Sequence, residues 1–119
     1  KIEKLSVSTI SELHDAIGMV SRAKTEADDQ ALGRVAGKVH RSREFGGSAL
    51  ELCYIAEGKL DFYISERIKI YDVAASAIVL IEAGGKVTDW AGNPFTPTSK
   101  NIVASNGTIH EEILKELKG

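Results

Sequence analysis

From Val73 to Ile81 the chain runs apolar with one polar break, Ser76, and the run opens on Asp72 and closes on Glu82. That length and continuity predict a helix, with Gly84-Gly85 ending it. Leu32, Val35, Ala36 and Val39 recur at helical spacing behind Thr25, and Ile109, Ile113, Leu114 and Leu117 form one stripe on a charged final segment. Ala49 to about Glu57 is apolar on most sides, which predicts a helix buried on more than one face and stopped by Gly58. Four stretches carry the pattern in which a Ser or Thr caps a helix whose third residue is acidic: Thr9-Ile10-Ser11-Glu12, Thr25-Glu26-Ala27-Asp28, Ser48-Ala49-Leu50-Glu51 and Thr108-Ile109-His110-Glu111.

Between these lie short segments that read as strands: Ile17-Gly18-Met19-Val20, Leu60 to Ser65, Lys86 to Trp90 and Asn101 to Ser105, with a further candidate over Val39–Phe45. Ala91-Gly92-Asn93-Pro94 and Asn106-Gly107 read as turns. The order is helix, strand, helix, strand, helix, strand, helix, strand, strand, helix. That alternation predicts an α/β layered domain with a mixed β-sheet and flanking helices, as one domain over 1–119. Neither an internal repeat nor a linker interrupts it.

Composition narrows the class. At 119 residues with 43% apolar content, the chain can bury a core of its own. Fifteen basic and 17 acidic side chains are mixed along it, so the basic stripe of a nucleic-acid binder is missing. The longest apolar run is too short to cross a bilayer, and the first residues do not have the form of a signal peptide. The single cysteine, Cys53, excludes an internal disulfide and suits a reducing compartment, so no membrane and a cytoplasmic location are expected.

Few residues offer chemistry. Asp72 suits a helix cap, where a carboxylate meets free N–H groups and the helix dipole, but small residues (Ala74, Ala75, Ser76, Ala77) leave room for something to approach that end. Gly46-Gly47-Ser48 before a capped helix could bring backbone N–H groups close to an anion or could form a bare turn, and it matches neither a P-loop nor a dinucleotide fingerprint. His14, His40 and His110 lack metal-ligand spacing, and Cys53 has no partner cysteine or basic neighbour. Ser65-Glu66-Arg67 and Lys69 form a polar link that leads into Asp72.

Several blocks in order resemble one family. "REFGGSALELCYIAEGKLDFYI" is similar to the Gly-Ser-Ala-Ala-Leu-Asp-Leu helix and Gly-Asp-aromatic strand of the inositol monophosphatase family. "IYDVAASAIVLIEAGGKVTDWAGNPF" resembles its Trp-Asp-small-Ala-Ala helix, Glu-Ala-Gly-Gly end and Thr-Asp-x-x-Gly turn, and "NIVASNGTIHEEIL" its closing block. The resemblance is close over about residues 43 to 117 and looser before. It implies the C-terminal half of an αβαβα sugar-phosphatase sandwich that cleaves phosphate monoesters of small polyols and sugars with Mg²⁺.

By that resemblance Asp72 is catalytic, matching the one metal-ligand Asp that this half contributes, while Gly46, Gly47, Ser48, Ser65, Glu66 and Arg67 line the substrate. Tyr71 replaces the usual Trp, and Ser65 stands where animal members carry a substrate-binding Glu. "ERIKIYD" is similar to archaeal members with broader sugar-phosphate activity, including fructose-1,6-bisphosphatase. The family's Asp-Pro-x-Asp-Gly-Thr motif, which supplies further carboxylates, does not occur here. The expectation is therefore a domain that is inactive alone. Its partners would be a missing N-terminal domain, a phosphorylated polyol or sugar, and a second copy in a full-length homodimer. The alternative is a non-catalytic oligomerisation or ligand-binding module that retains the fold.

Overall fold

The computed structural model describes residues 5–21, 23–43, 49–67 and 70–119, with the backbone alone at Arg43, Ala49 and 70–72. A 3₁₀ turn at Leu13–Asp15 leads into β1 (Ile17–Val20), followed by α1 (Glu26–Ala36), β2 (Arg41–Arg43), α2 (Ala49–Ala56), β3 (Phe62–Ser65) and α3 (Ile70–Glu82). The chain closes with β4 (Lys86–Thr88), β5 (Ile102–Ser105) and α4 (His110–Lys118). The strands form one sheet in the order β2-β1-β3-β5-β4. β1 runs parallel to β2 and β3, and β5 runs antiparallel to β3 and β4. The sheet is therefore mixed, as its sequence pattern predicts.

Each face of the sheet is sealed by two helices. On one side Ala31, Leu32 and Val35 of α1 and Ile113, Leu114 and Leu117 of α4 pack on Phe62, Ile64 and Val103. On the other, Leu52, Ile55 and Ala56 of α2 and Val73, Ala77 and Leu80 of α3 pack on Tyr63, Ile102 and Ala104. Burying each large apolar side chain contributes about 1.5–3 kcal/mol, so both layers are needed for a core of this size. The link β1–α1–β2 uses one face and β2–α2–β3 the other. Right-handed crossovers in opposite directions require that arrangement. The chain thus leaves β1 first to one neighbour and then to the other, and the strand order reverses between β1 and β3.

Close approach decides one position. Gly18 lies opposite Phe62 in the β1–β3 register, and a Cβ there would sit 2.4 Å from Phe62 Cδ1 and 2.5 Å from Phe62 O. Only glycine lets that ring lie flat across the strand.

Sequence and structure disagree mainly at helix starts. Thr25 caps α1 as expected, its Oγ1 accepting from Asp28 N at 3.2 Å. The Thr9 pattern starts no α-helix: only the 3₁₀ turn forms there, because Ser8 Oγ donates to Asp61 Oδ1 and Ile10 O accepts from Asn106 Nδ2, which holds that stretch extended. Thr108 does not cap α4, since Asn106 Oδ1 accepts from Thr108 N and Ile109 N instead. β4 ends at Thr88, short of Trp90, because Asp89 Oδ1 accepts from Ala91 N and Asn93 N and closes a turn. Ser48 lies outside the described residues. Leu50 of α2 is exposed, so that helix is buried less fully than its composition suggests.

Candidate functional site

The carboxyl ends of the parallel strands meet where the strand order reverses, and open α/β sheets bind ligands in that crevice. Ser21 follows β1 there, its N–H donating to Ile64 O at 2.9 Å and its Oγ accepting from Glu66 N at 3.4 Å. Ser65 ends β3 and is buried; its hydroxyl donates to Arg67 O and accepts from Arg67 N, so it shapes the turn. Arg67 Nε lies 3.5 Å from Glu66 Oε1, with the Arg67 side chain 57% exposed and Glu66 mostly covered. The segment then enters α3, whose third residue is Asp72. This differs from the capping position expected for Asp72: the helix starts at Ile70, so Asp72 sits inside the first turn, where its charge still suits the dipole. Ser65, Glu66, Arg67 and Asp72 thus share one edge. Gly46, Gly47 and Ser48 lie outside the described residues, in the link from β2 to α2.

α2 ends where β3 begins and α3 starts where β3 ends, so both helices run antiparallel to β3 and begin at this same edge. Cys53 Sγ lies 3.9 Å from Ser76 Oγ, which fixes the register between them. Near its start α2 carries a residue that sequence reasoning passed over. Glu51 is 2% exposed, and its Oε1 is buried without a hydrogen-bond partner. An unpaired buried carboxylate oxygen fits a cation such as Mg²⁺, which takes hard oxygen donors. Its signal in the sequence was an acidic residue between Leu50 and Leu52 in an otherwise apolar helix.

Other titratable groups lie elsewhere. His110, fully buried, has Nε2 2.8 Å from Thr88 Oγ1 and Nδ1 2.7 Å from Ser105 Oγ. Thr88 Oγ1 gives its proton to Asp89 O and Ser105 Oγ accepts from Gly107 N, so the ring is neutral with its proton on Nε2. Burial, then the nearby Lys86 charge, push its pKa down to about 4, and Glu111 opposes them. Asp61 takes Ile17 N at 2.8 Å and the Ser8 hydroxyl at the amino end of β1. Glu12, His14 and Asp15 bring one ligand atom each within 4.8 Å, but all are exposed and precede β1, at the edge opposite Asp72. A groove of about 650 Å³, lined by Trp90, Lys100, Asn101 and Lys118 among others, holds none of the expected site residues. No helix among the described residues is long and apolar enough to cross a membrane.

Residues 2–119 match the inositol monophosphatase family model. The fructose-1,6-bisphosphatase/inositol-1-monophosphatase of Thermotoga maritima is 34% identical over 113 residues, covering 95% of this chain and 44% of that protein. The histidinol-phosphatase of Mycobacterium tuberculosis is 36% identical over 117 residues, covering 96% and 44%. Among solved structures, the Thermotoga maritima IMPase superposes with a TM-score of 0.85 at 33% identity, over 98% of this chain and 45% of that one. The chain spans less than half the length of the curated relatives it matches.

Proposed function

The chain belongs to the inositol monophosphatase family, and we propose that it is the C-terminal half of a Mg²⁺-dependent phosphomonoesterase acting on small phosphorylated polyols or sugars, silent until joined to an N-terminal half. The observation that carries this reading is that Ser65, Glu66, Arg67 and the first turn of α3 with Asp72 share one edge, at the reversal of strand order. Asp72 would hold the cation together with carboxylates from the absent half, since Mg²⁺ keeps several waters and asks for few protein ligands. The bound metal supplies an activated water and neutralises phosphate charge. Arg67 reaches outward to an anionic substrate group, Ser65 fixes the turn that presents it, and Gly46, Gly47 and Ser48 let backbone N–H groups approach phosphate.

An exposed apolar face supports a covering half. Leu50, Ile78 and Ile81 are 56%, 60% and 55% exposed on the outside of the α2–α3 layer, and Ala74, Ile78, Ile81 and Phe95 line an apolar hollow beside them. A face of this kind, in a chain less than half as long as its relatives, suits burial against the remainder of the enzyme. The names of those relatives span inositol, fructose and histidinol phosphates, so one scaffold serves several small alcohol phosphates.

The test is phosphate release from inositol 1-phosphate and fructose 1,6-bisphosphate, with and without Mg²⁺. The full-length protein should turn over only with the metal, and the 119-residue chain not at all. Asp72→Asn in the full-length protein should cost about 10²–10³-fold in turnover, the scale for losing one preorganised charge. Its stability should fall by less than about 1 kcal/mol, the worth of a first-turn charge. Full activity in Asp72→Asn would reduce Asp72 to a dipole partner, and a full-length protein that binds these esters without cleaving them would be a non-catalytic module.

A further inference from the structure

The groove of about 650 Å³ beside α4 takes no part in the site described above, yet its walls are firmly built. One wall is the link 89–101 from β4 to β5. It opens at the same edge as Ser65, because Ile102 pairs with Ser65 and Val103 with Thr88. Hydrogen bonds brace that link from end to end. Trp90 N donates to Asn101 Oδ1 at 2.8 Å, Trp90 Nε1 to Ile102 O at 3.3 Å, and Thr96 N to Ser99 Oγ at 2.9 Å. The groove is thus formed in advance, and filling it costs little ordering.

Its charge is positive. Asp89, the acid in its lining, has both oxygens engaged: Oδ1 accepts from Ala91 N and Asn93 N, and Oδ2 from Asn93 Nδ2. On the other wall the last carbonyls of α4 would add negative charge, but Arg34 Nε and Nη2 donate to Glu116 O and Leu117 O. Two exposed cations remain, Lys100 and Lys118, and among the described residues neither has a carboxylate within ion-pair distance. Asn101, with its oxygen taken, keeps its amide N–H groups to donate.

The floor is apolar. Trp90 is half-buried against the α1–α4 core, with Leu117 and Pro94 beside it. The volume falls within the range of about 300–1,000 Å³ for small-molecule sites, far more than a bare phosphate ion fills. A cationic rim over an indole floor suits a molecule that carries both a ring and a phosphate.

We propose that this groove is a second ligand site, for a small ring-bearing phosphate ester, a sugar or nucleoside phosphate. Its ring lies against Trp90 and its phosphate meets Lys100 and Lys118. The site stands independently of Asp72 and of any metal.

Trp90 is the chain's single tryptophan, so its fluorescence reports the groove directly. Glucose 6-phosphate, uridine 5′-monophosphate, inorganic phosphate and glucose are titrated separately, without Mg²⁺, into the 119-residue chain. At least one ester should saturate the signal and bind about tenfold more tightly than inorganic phosphate, the scale of one stacked ring. The tighter of the two identifies the ring, and glucose should not bind. Lys100→Gln combined with Lys118→Gln should weaken the ester about tenfold, the product of two exposed ion pairs. Lys38→Gln combined with Lys59→Gln removes the same charge at the opposite edge and should leave the affinity unchanged. Equal losses in the two double variants would reduce the effect to overall charge and overturn the site. An ester no tighter than inorganic phosphate, or glucose binding as well as its phosphate, overturns the proposed ligand class. If the chain lacks a cooperative urea transition, the same titrations are read by calorimetry in the metal-free full-length protein. Binding there that the Lys100 and Lys118 changes do not weaken, or no saturable binding in either protein, overturns the proposal.

Discussion

Lowering the pH should loosen α4 from the sheet, and His110 should set where that happens. The ring is wedged between Thr88 of β4 and Ser105 of β5 in its neutral form, with Nε2 donating and Nδ1 accepting. A second proton would sit on Nδ1 and face the proton of Ser105 Oγ, whose lone pairs already meet Gly107 N. Burial, then Lys86, hold the folded pKa down at about 4 against the ordinary histidine value of 6.5. The unfolded chain thus binds the proton more readily throughout that interval. A base whose folded pKa is depressed contributes stability that is complete above the unfolded value and lost as pH falls through the folded one. Over the 2.5 pH units from 6.5 to 4, at 1.36 kcal/mol per unit, the loss amounts to about 3 kcal/mol. For a domain of this size that is a large share of total stability.

Urea denaturation of the wild type and His110→Gln from pH 7.5 to 4.5 isolates this contribution. The amide of glutamine can donate to Thr88 and accept from Ser105 but does not titrate. Wild type should be the more stable at neutral pH by about 1–3 kcal/mol, from better-made buried hydrogen bonds. That advantage should shrink steadily below pH 6.5 and be mostly gone by pH 4.5. Glu111, held below its usual value chiefly by a hydrogen bond and charge from Lys86, releases that contribution as pH falls through its carboxylate range in both proteins; only the lesser part that it owes to His110 is missing from the variant. A wild-type advantage that stays constant across the range would refute the buried neutral histidine, as would a ¹⁵N spectrum at pH 7 showing the proton on Nδ1.

Two further predictions concern the sheet and the substrate edge. Gly18→Ala forces a Cβ into the ring and carbonyl oxygen of Phe62, and because one of the atoms met is backbone the cost should reach about 3 kcal/mol, the upper part of the overpacking range, in urea unfolding; unchanged stability would mean the β1–β3 register is wrong. Arg67→Ala in the full-length protein should raise KM for fructose 1,6-bisphosphate about 10–100-fold more than for inositol 1-phosphate with kcat nearly unchanged, since a charge-assisted hydrogen bond to a second phosphate is worth about 1.5–3 kcal/mol; equal kinetics would leave Arg67 only its pairing with Glu66.

How far the sequence could be read depended on whether a position answers to its neighbours in the chain or to the rest of the fold. The buried stripe Ile109, Ile113, Leu114 and Leu117 was legible because its period is local, and the strands because turn residues bound short runs of β-type side chains. Thr25 was legible as a cap because nothing competes for Asp28 N. Thr9 and Thr108 carry the same pattern, but Asp61 and Asn106, distant or better placed, claim their surroundings first. The edge holding Ser65, Glu66, Arg67 and Asp72 could be anticipated since eight consecutive residues span it. Glu51 and His110 could not, because each owes its character to burial by elements far along the chain. Yet Glu51 left a trace: an acid between Leu50 and Leu52, in a helix that is otherwise almost wholly apolar, contradicts its local pattern. Such contradictions are found at functional or strained positions. A buried carboxylate with an unpartnered oxygen, one helix away from Asp72, is the form that contradiction takes here.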